Sequence, residues 1–261
     1  MNSSEISVPH ISQANVLFDI SAENLVELVA DRTYRAIVHA WQNAAESGST
    51  RDPHIVITGG RTGLAIAKAL DLALHRGVTT TPQFAANKVH IWFSDERFVE
   101  VEDADRSDAA LIAGFTRSLA HCIFHRVAVP SECTLSEAAN RYATEMNEAL
   151  RDDDGLGHFD VAILSLGEDG HIASLFPGQS AVLNSAYSAV AVDNSPKPPP
   201  LRVSIGVDRL AASTAIYIFA VGESKREPLS QIVDGVSTGP VAALRSKLHG
   251  NQLYLATDIR I

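Results

Sequence analysis

The chain has 261 residues and a formal net charge of −10, from 31 acidic and 21 basic residues, with 46% hydrophobic content. That charge argues against nucleic acid or an anionic membrane as a partner, because phosphate surfaces attract basic proteins. Two cysteines, no signal-peptide pattern and no apolar run of membrane-spanning length lead us to expect a cytoplasmic protein.

Short apolar runs alternate along the chain with segments of helical spacing. The alternation predicts one α/β domain over residues 1–261, with an open, mainly parallel sheet and helices on both faces. The predicted strands cover 14–20, 54–58, 89–93, 160–166, 201–205, 215–221 and 252–256. The predicted helices cover 21–41, 64–74, 107–120, 135–150 and 223–233, and an acidic segment, 151–155, closes the fourth of them.

A glycine-rich segment follows the first internal strand. In Thr58-Gly59-Gly60-Arg61-Thr62-Gly63, successive glycines let backbone N–H groups converge at the start of a helix, where an anion such as phosphate is favoured. The segment is neither a Walker A loop nor a dinucleotide fingerprint. Many turns between a strand and a helix also need glycine for steric reasons alone, so both interpretations stay open.

Charged residues follow the next strand at once. Asp95, Glu96 and Arg97 stand just beyond Phe93. They either serve a site at the end of the strand or are simply exposed to solvent.

The most informative stretch begins with the apolar run Val161–Leu166, which predicts a buried strand. The turn Gly167-Glu168-Asp169-Gly170 and His171 follow directly. Open α/β sheets bind ligands at the carboxyl ends of their strands, so this ionisable cluster is a candidate site. The alternative is a tight turn in which Asp169 caps the next segment and the histidine is incidental.

Four prolines occupy five positions between Ser195 and Arg202. Such a composition favours an extended, stiff segment. It is either a linker or a rigid arm that holds Lys197 and Arg202 at a fixed separation for an anion.

Taken in order, the glycine loop, the Asp-Glu-Arg segment and the Leu-Gly-x-Asp-Gly-His segment resemble the 6-phosphogluconolactonase family. The resemblance continues through Ser195–Arg202 and through Val221-Gly222 with Lys225, and it covers nearly the whole chain. Its most specific parts are Asp169-Gly-His171 and the proline segment, which is similar to that of actinobacterial members.

The resemblance implies a modified Rossmann-type fold and hydrolysis of 6-phospho-D-glucono-1,5-lactone to 6-phospho-D-gluconate, the second step of the oxidative pentose phosphate pathway. His171 would take a proton from the attacking water, and Asp169 would orient its ring. A helix beginning after His171 would help to keep the imidazole neutral. No cofactor or metal is implied, and the partner is a small phosphorylated sugar lactone. The implied substrate-binding residues are Gly59, Gly60, Arg61, Thr62, Asp95, Glu96, Arg97, Gly170, Lys197 and Arg202.

The chain also departs from the family pattern. The usual Ser-Gly-Gly-Ser-Thr-Pro is Thr58-Gly-Gly-Arg-Thr-Gly63, the usual proline after Arg97 is Glu100, and the usual Ser-Asn pair is Arg106-Ser107. Arg61 either adds a phosphate contact or points away, and the role of the loop after Arg97 stays open.

Two other functions compete with lactone hydrolysis. Glucosamine-6-phosphate deaminases resemble this chain in Asp-Gly-His, but their Asn-Glu-Pro corresponds here to Ser174-Leu-Phe-Pro177, and their Asp-Glu-Tyr to Asp95-Glu-Arg97. A non-catalytic sugar-phosphate sensor would need a DNA-binding module, which the acidic charge opposes.

One candidate metal cluster is weaker. His121, Cys122 and His125 would share a helix face, but further ligands at motif distance are missing.

Overall fold

The computed structural model describes residues 5–6, 15–19, 21–81, 84–151, 157–248 and 252–261. Its strands are β1 Glu5–Ile6, β2 Asn15–Phe18, β3 His54–Ile57, β4 Val89–Phe93, β5 Asp95–Arg97, β6 Cys122–His125, β7 Val161–Ser165, β8 Ala189–Val192, β9 Arg202–Ile205, β10 Ala215–Ala220 and β11 Leu253–Thr257. Its α-helices are α1 Ala22–Ser47, α2 Gly60–Thr80, α3 Asp108–Ile112, α4 Leu135–Ala149, α5 Ser180–Leu183, α6 Val207–Ala211, α7 Arg226–Val233 and α8 Pro240–Arg245. Short 3₁₀ turns cover Leu119–His121 and Glu223–Lys225.

The main sheet has eight strands in the order β1-β2-β11-β10-β7-β3-β4-β6. Only the β1–β2 pairing is antiparallel among the described strands of this sheet, which confirms the predicted, mainly parallel architecture. In register, Ile57 at the end of β3 pairs with Phe93 of β4 and Ile163 of β7. The segments that follow these three strands therefore leave the sheet at the same edge.

Helices cover both faces of this sheet, as the β–α alternation predicts. Because side chains alternate along a strand, Ile55 and Ile57 of β3 join the hydrophobic cluster with α1 and α2. Val56 joins the opposite cluster, to which α4, α7 and α8 contribute. Leu25, Ile37 and other apolar side chains at helical spacing bury one face of α1, which begins where Ser21 accepts a hydrogen bond from the Asn24 N–H.

A second, three-stranded antiparallel sheet, β5-β9-β8, was not predicted. In it Arg97 pairs with Arg202, and Asp95 pairs with Ser204. The stretch after Phe93 is therefore a short strand instead of a free loop. It joins the Asp-Glu-Arg segment to the end of the proline segment.

The helix predicted over 107–120 is wrong in length, because α3 ends at Ile112. The buried carboxylate of Asp71, on α2, accepts hydrogen bonds from the backbone N–H groups of Arg117 and Ser118 at 2.9 and 2.8 Å. These N–H groups are therefore not available for the backbone hydrogen bonds that would continue the helix. The helical placement of His121, Cys122 and His125 is wrong as well, because they lie on a 3₁₀ turn and on β6.

Residues 152–155 of the acidic segment 151–155 lie outside the described residues. None of the described helices is long and apolar enough to span a bilayer.

Candidate active site

A cavity of about 340 Å³ opens at the carboxyl edge of the main sheet. The ends of β3, β4 and β7, the proline segment and the turn before α7 all border it. A larger groove of about 590 Å³ between α1 and α2 is lined by none of these segments. The cavity lining is Thr58, Gly59, Gly60, Asp95, Arg97, Ser107, Ser165, Leu166, Gly167, His171, Ala173, Lys197, Pro198, Arg202 and Lys225.

The glycine loop brings the N-terminus of α2 to the cavity. Gly59 precedes the helix and Gly60 begins it, so backbone N–H groups and the helix dipole favour an anion here. Gly63 is required by packing, because a Cβ atom there would lie 1.7 Å from the Thr58 carbonyl oxygen. Arg61 is exposed and Thr62 is half-buried, and both stand outside the lining.

His171 and Asp169 form a directly hydrogen-bonded pair between the imidazole Nδ1 and a carboxylate oxygen. This contact places the ring proton on Nδ1 and leaves Nε2 as the basic nitrogen. The imidazole lies close against Gly167, where a Cβ atom would be 2.0 Å from Nδ1. On its other side it contacts the Phe176 ring, with centroids 4.7 Å apart. Gly170 makes the turn between the two residues and does not line the cavity.

Burial lowers the pKa of His171, and the opposing hydrogen bond and charge of Asp169 do not offset it. Burial alone would raise the pKa of Asp169, but the contacts with His171 and Lys197 hold it below its ordinary value. The resting pair is therefore a neutral imidazole and a carboxylate. The expectation that a following helix keeps His171 neutral is wrong, because residues 172–178 form bridges and turns and burial has that effect instead.

Asp95 is held at the floor of the cavity by two serine hydroxyls. Ser94 donates to one carboxylate oxygen at 2.9 Å, and the buried Ser174 donates to the other at 2.6 Å. Ser174 comes from the segment after His171, so this bond joins the ends of β4 and β7.

Arg202 is 5% exposed and supports the proline segment. Its Nε donates to the Pro199 carbonyl at 3.1 Å, and one Nη donates to the carbonyls of Lys197 and Pro198 at 3.0 and 3.3 Å. The proline segment is therefore held in a fixed position at the edge of the site. It carries Lys197 to 3.8 Å from the Asp169 carboxylate.

Lys225 adds a second ammonium group to the cavity. It lies in the 3₁₀ turn before α7, 3.9 Å from the Glu168 carboxylate, and burial lowers its pKa. Lys225 belongs to the family pattern, but its place in the sequence indicated no role. Ser107, Thr58 and Ser165 also line the cavity and were missed, since isolated serine and threonine residues carry no distinctive sequence signal.

Glu96 is fully buried and lies behind the cavity wall. Its carboxylate accepts hydrogen bonds from the Ser107 and Asp108 N–H groups at 2.7 to 3.1 Å. It fixes the loop that returns from Arg97 to the cavity. Glu100, which departs from the family pattern, is not part of the cavity lining. Its carboxylate accepts hydrogen bonds from the backbone N–H and the hydroxyl of Ser131.

The described residues contain no group of three or more His, Cys, Asp or Glu side chains arranged to hold a metal ion.

The sequence model of the family described as glucosamine-6-phosphate isomerases/6-phosphogluconolactonase matches residues 21–254. The chain belongs to this family. It is 29% identical over 214 residues to a 6-phosphogluconolactonase of Mycobacterium bovis, covering 77% of this chain and 81% of the relative. It is likewise 29% identical over 234 residues to a 6-phosphogluconolactonase of Streptomyces coelicolor, covering 86% and 85%.

Solved structures of the family share the fold. The structure of 6-phosphogluconolactonase from Trypanosoma cruzi superposes with a TM-score of 0.73 at 19% identity, covering 97% of this chain and 96% of that one. A monomeric glucosamine-6-phosphate deaminase superposes with a TM-score of 0.66 at 18% identity, covering 94% and 97%. Because the fold accommodates both activities, the choice between them depends on the site residues.

Proposed function

We propose that this protein is a 6-phosphogluconolactonase, which hydrolyses 6-phospho-D-glucono-1,5-lactone to 6-phospho-D-gluconate. The observation that carries the proposal is the neutral His171, bonded to Asp169 through Nδ1, with its other nitrogen available at a cavity bordered by cationic groups. The relatives in Mycobacterium bovis and Streptomyces coelicolor that bear this name support it.

In the proposed reaction, His171 Nε2 takes a proton from a water molecule as its oxygen attacks the lactone carbonyl carbon. Asp169 stabilises the imidazolium that forms. When the ring C–O bond breaks, the imidazolium returns its proton to the leaving ring oxygen, and the carboxylic acid then ionises. The sequence of steps needs neither a covalent intermediate nor a cofactor.

The proposed site of the substrate's phosphate is the N-terminus of α2. The N–H groups of the Gly59–Gly60 loop, with Lys225 and Lys197, provide the positive potential that an otherwise acidic protein lacks. Arg97, which also lines the cavity, completes this set. The Arg202 guanidinium acts chiefly through the proline segment, because its Nε and one Nη already donate to carbonyl oxygens.

Deamination of glucosamine 6-phosphate is the competing activity. That reaction needs acid–base groups in addition to a histidine, and the stretch after His171 offers none. The Ser174 hydroxyl is buried and donates to Asp95, and the Phe176 ring packs against the imidazole. We also propose that the protein acts in the cytoplasm without nucleic-acid or membrane partners, which its charge of −10 supports.

The test is a coupled assay in which 6-phosphogluconate dehydrogenase reports product formed faster than the lactone hydrolyses spontaneously. His171→Ala should abolish most of the turnover, by roughly 10²- to 10⁴-fold, while 6-phosphogluconate still binds. His39→Ala, on the exposed face of α1, is the matched control and should keep wild-type turnover. Near-normal kcat in His171→Ala would exclude the general-base role, and ammonia release from glucosamine 6-phosphate would favour the deaminase.

A further inference from the structure

The loop between Arg97 and Ser107 leaves the cavity and returns to it, since both of these residues line the wall. Its conformation is held from within by Arg106, which is 5% exposed. The Arg106 guanidinium donates to the Asp108 carboxylate at 2.7 and 2.9 Å, to the Val127 carbonyl at 2.5 Å and to the Val99 carbonyl at 3.2 Å. One side chain thus joins both ends of the loop to the chain just beyond β6.

The same loop contacts the guanidinium group of Arg97, which lines the cavity. The Arg97 guanidinium donates a short hydrogen bond to the carbonyl of Asp105, the residue directly before Arg106. Arg106 also donates its backbone N–H to the Asp103 carbonyl at 3.0 Å. The carbonyl that orients Arg97 therefore depends on the backbone that Arg106 fixes.

Asp108 is shared between two guanidinium groups. Arg126 donates to its carboxylate oxygens at 2.9 and 3.1 Å from the other side. Burial alone would raise the pKa of Asp108, but the hydrogen bonds from Arg126 and Arg106 hold it below its ordinary value. Removing one partner of a buried ion cluster leaves an uncompensated charge, so loss of either arginine should destabilise the fold, and stability alone does not separate a positioning role from a structural one.

We propose that Arg106 is a positioning residue, which sets the Arg97 guanidinium in the active site by holding the backbone of the 98–107 loop. The proposal rests on the proposed function at one point, which is that Arg97 contacts the phosphorylated substrate. Arg126 shares the carboxylate of Asp108 but makes no hydrogen bond to the described loop residues 98–107, which makes it a natural control.

The first test compares Arg106→Met with Arg126→Met in the coupled lactone assay. Displacing a guanidinium that binds the substrate equally before and during the reaction removes uniform binding, so we expect Arg106→Met to raise KM about tenfold with kcat largely kept. Arg126→Met should lower the melting temperature comparably and leave KM unchanged. If Arg106→Met does not fold, Arg106→Lys is assayed against the same criteria.

The second test is a double-mutant cycle with Arg97→Ala. If Arg106 acts through Arg97, then Arg106→Met should change kcat/KM little in the Arg97→Ala background. Independent, additive losses of kcat/KM in the cycle would overturn the proposal. So would an Arg106→Met variant with a lowered melting temperature and an unchanged KM. Equal increases of KM in Arg106→Met and Arg126→Met would also overturn it.

The cycle is repeated with 6-phosphogluconate binding measured by calorimetry. The same coupling in binding would uphold the proposal even if the wild-type protein failed to hydrolyse the lactone. Failure of the proposed function and failure of the positioning role are therefore distinguishable.

Discussion

Asp169→Asn is the most discriminating change at the catalytic pair. Asn keeps the size of the side chain and one oxygen acceptor for His171 Nδ1, but it removes the negative charge that stabilises the imidazolium. Hydrogen bonds to charged groups contribute about 1.5–3 kcal/mol. The Asp169 side chain is 37% exposed, so solvent screening favours the lower end of that range. A loss of about 1.4 kcal/mol in the transition state corresponds to a kcat about tenfold lower.

The pH dependence of this variant has a defined sign. The hydrogen bond and charge of Asp169 raise the pKa of His171 against the lowering effect of burial. Removing the charge lowers that pKa further, and the base must be neutral to act. The acid limb of the kcat profile should therefore move to lower pH, and the ratio of variant to wild-type activity should rise as the pH falls.

The assay is the coupled measurement of 6-phosphogluconate across a pH series, with spontaneous hydrolysis subtracted at each pH. Melting curves at the same pH values check that both proteins are folded. An acid limb that stayed in place or moved to higher pH would refute the assignment of Asp169 as the partner of His171. A kcat within about twofold of wild type at every pH would do the same.

Three further changes test other parts of the structure. Arg202→Ala removes a buried guanidinium from the carbonyls of the proline segment and should lower the free energy of urea unfolding by about 2–3 kcal/mol. It should weaken binding of phosphorylated and unphosphorylated gluconolactone alike, whereas a selective loss for the phosphorylated ligand would mean direct phosphate contact. Burial lowers the pKa of His54 to about 2 and that of His90 to about 4. The unfolded chain takes up these protons near pH 6.5, so thermal stability should fall steadily with acidification below that pH, and His54→Gln should flatten the slope. Gly63→Ala places a Cβ atom against the Thr58 carbonyl and should cost about 1–3 kcal/mol of stability in urea unfolding. A wild-type unfolding curve would contradict this last prediction.

The order of motifs along the chain was enough to predict the fold class and the edge of the sheet at which the three motif segments lie. Strand ends in a parallel sheet meet at one edge, and the register of Ile57 with Phe93 and Ile163 places the three motif segments there. The close pairing of Asp169 with His171 could also be predicted, because residues two positions apart across a glycine turn stay near each other in any compact conformation. The spacing of residues along the chain was therefore enough to predict these features.

Tertiary structure alone decided which cationic groups reach the cavity. Asp95–Arg97 is too short for periodicity to predict a strand, and its pairing with β9 depends on residues about a hundred positions away. That pairing brings Arg202 under the proline segment, where its Nε and one Nη donate to carbonyl oxygens. Lys225 reaches the same cavity from the turn before α7. Hydrogen-bond partners of long side chains depend on distances between elements, and a sequence pattern encodes only distances along one element.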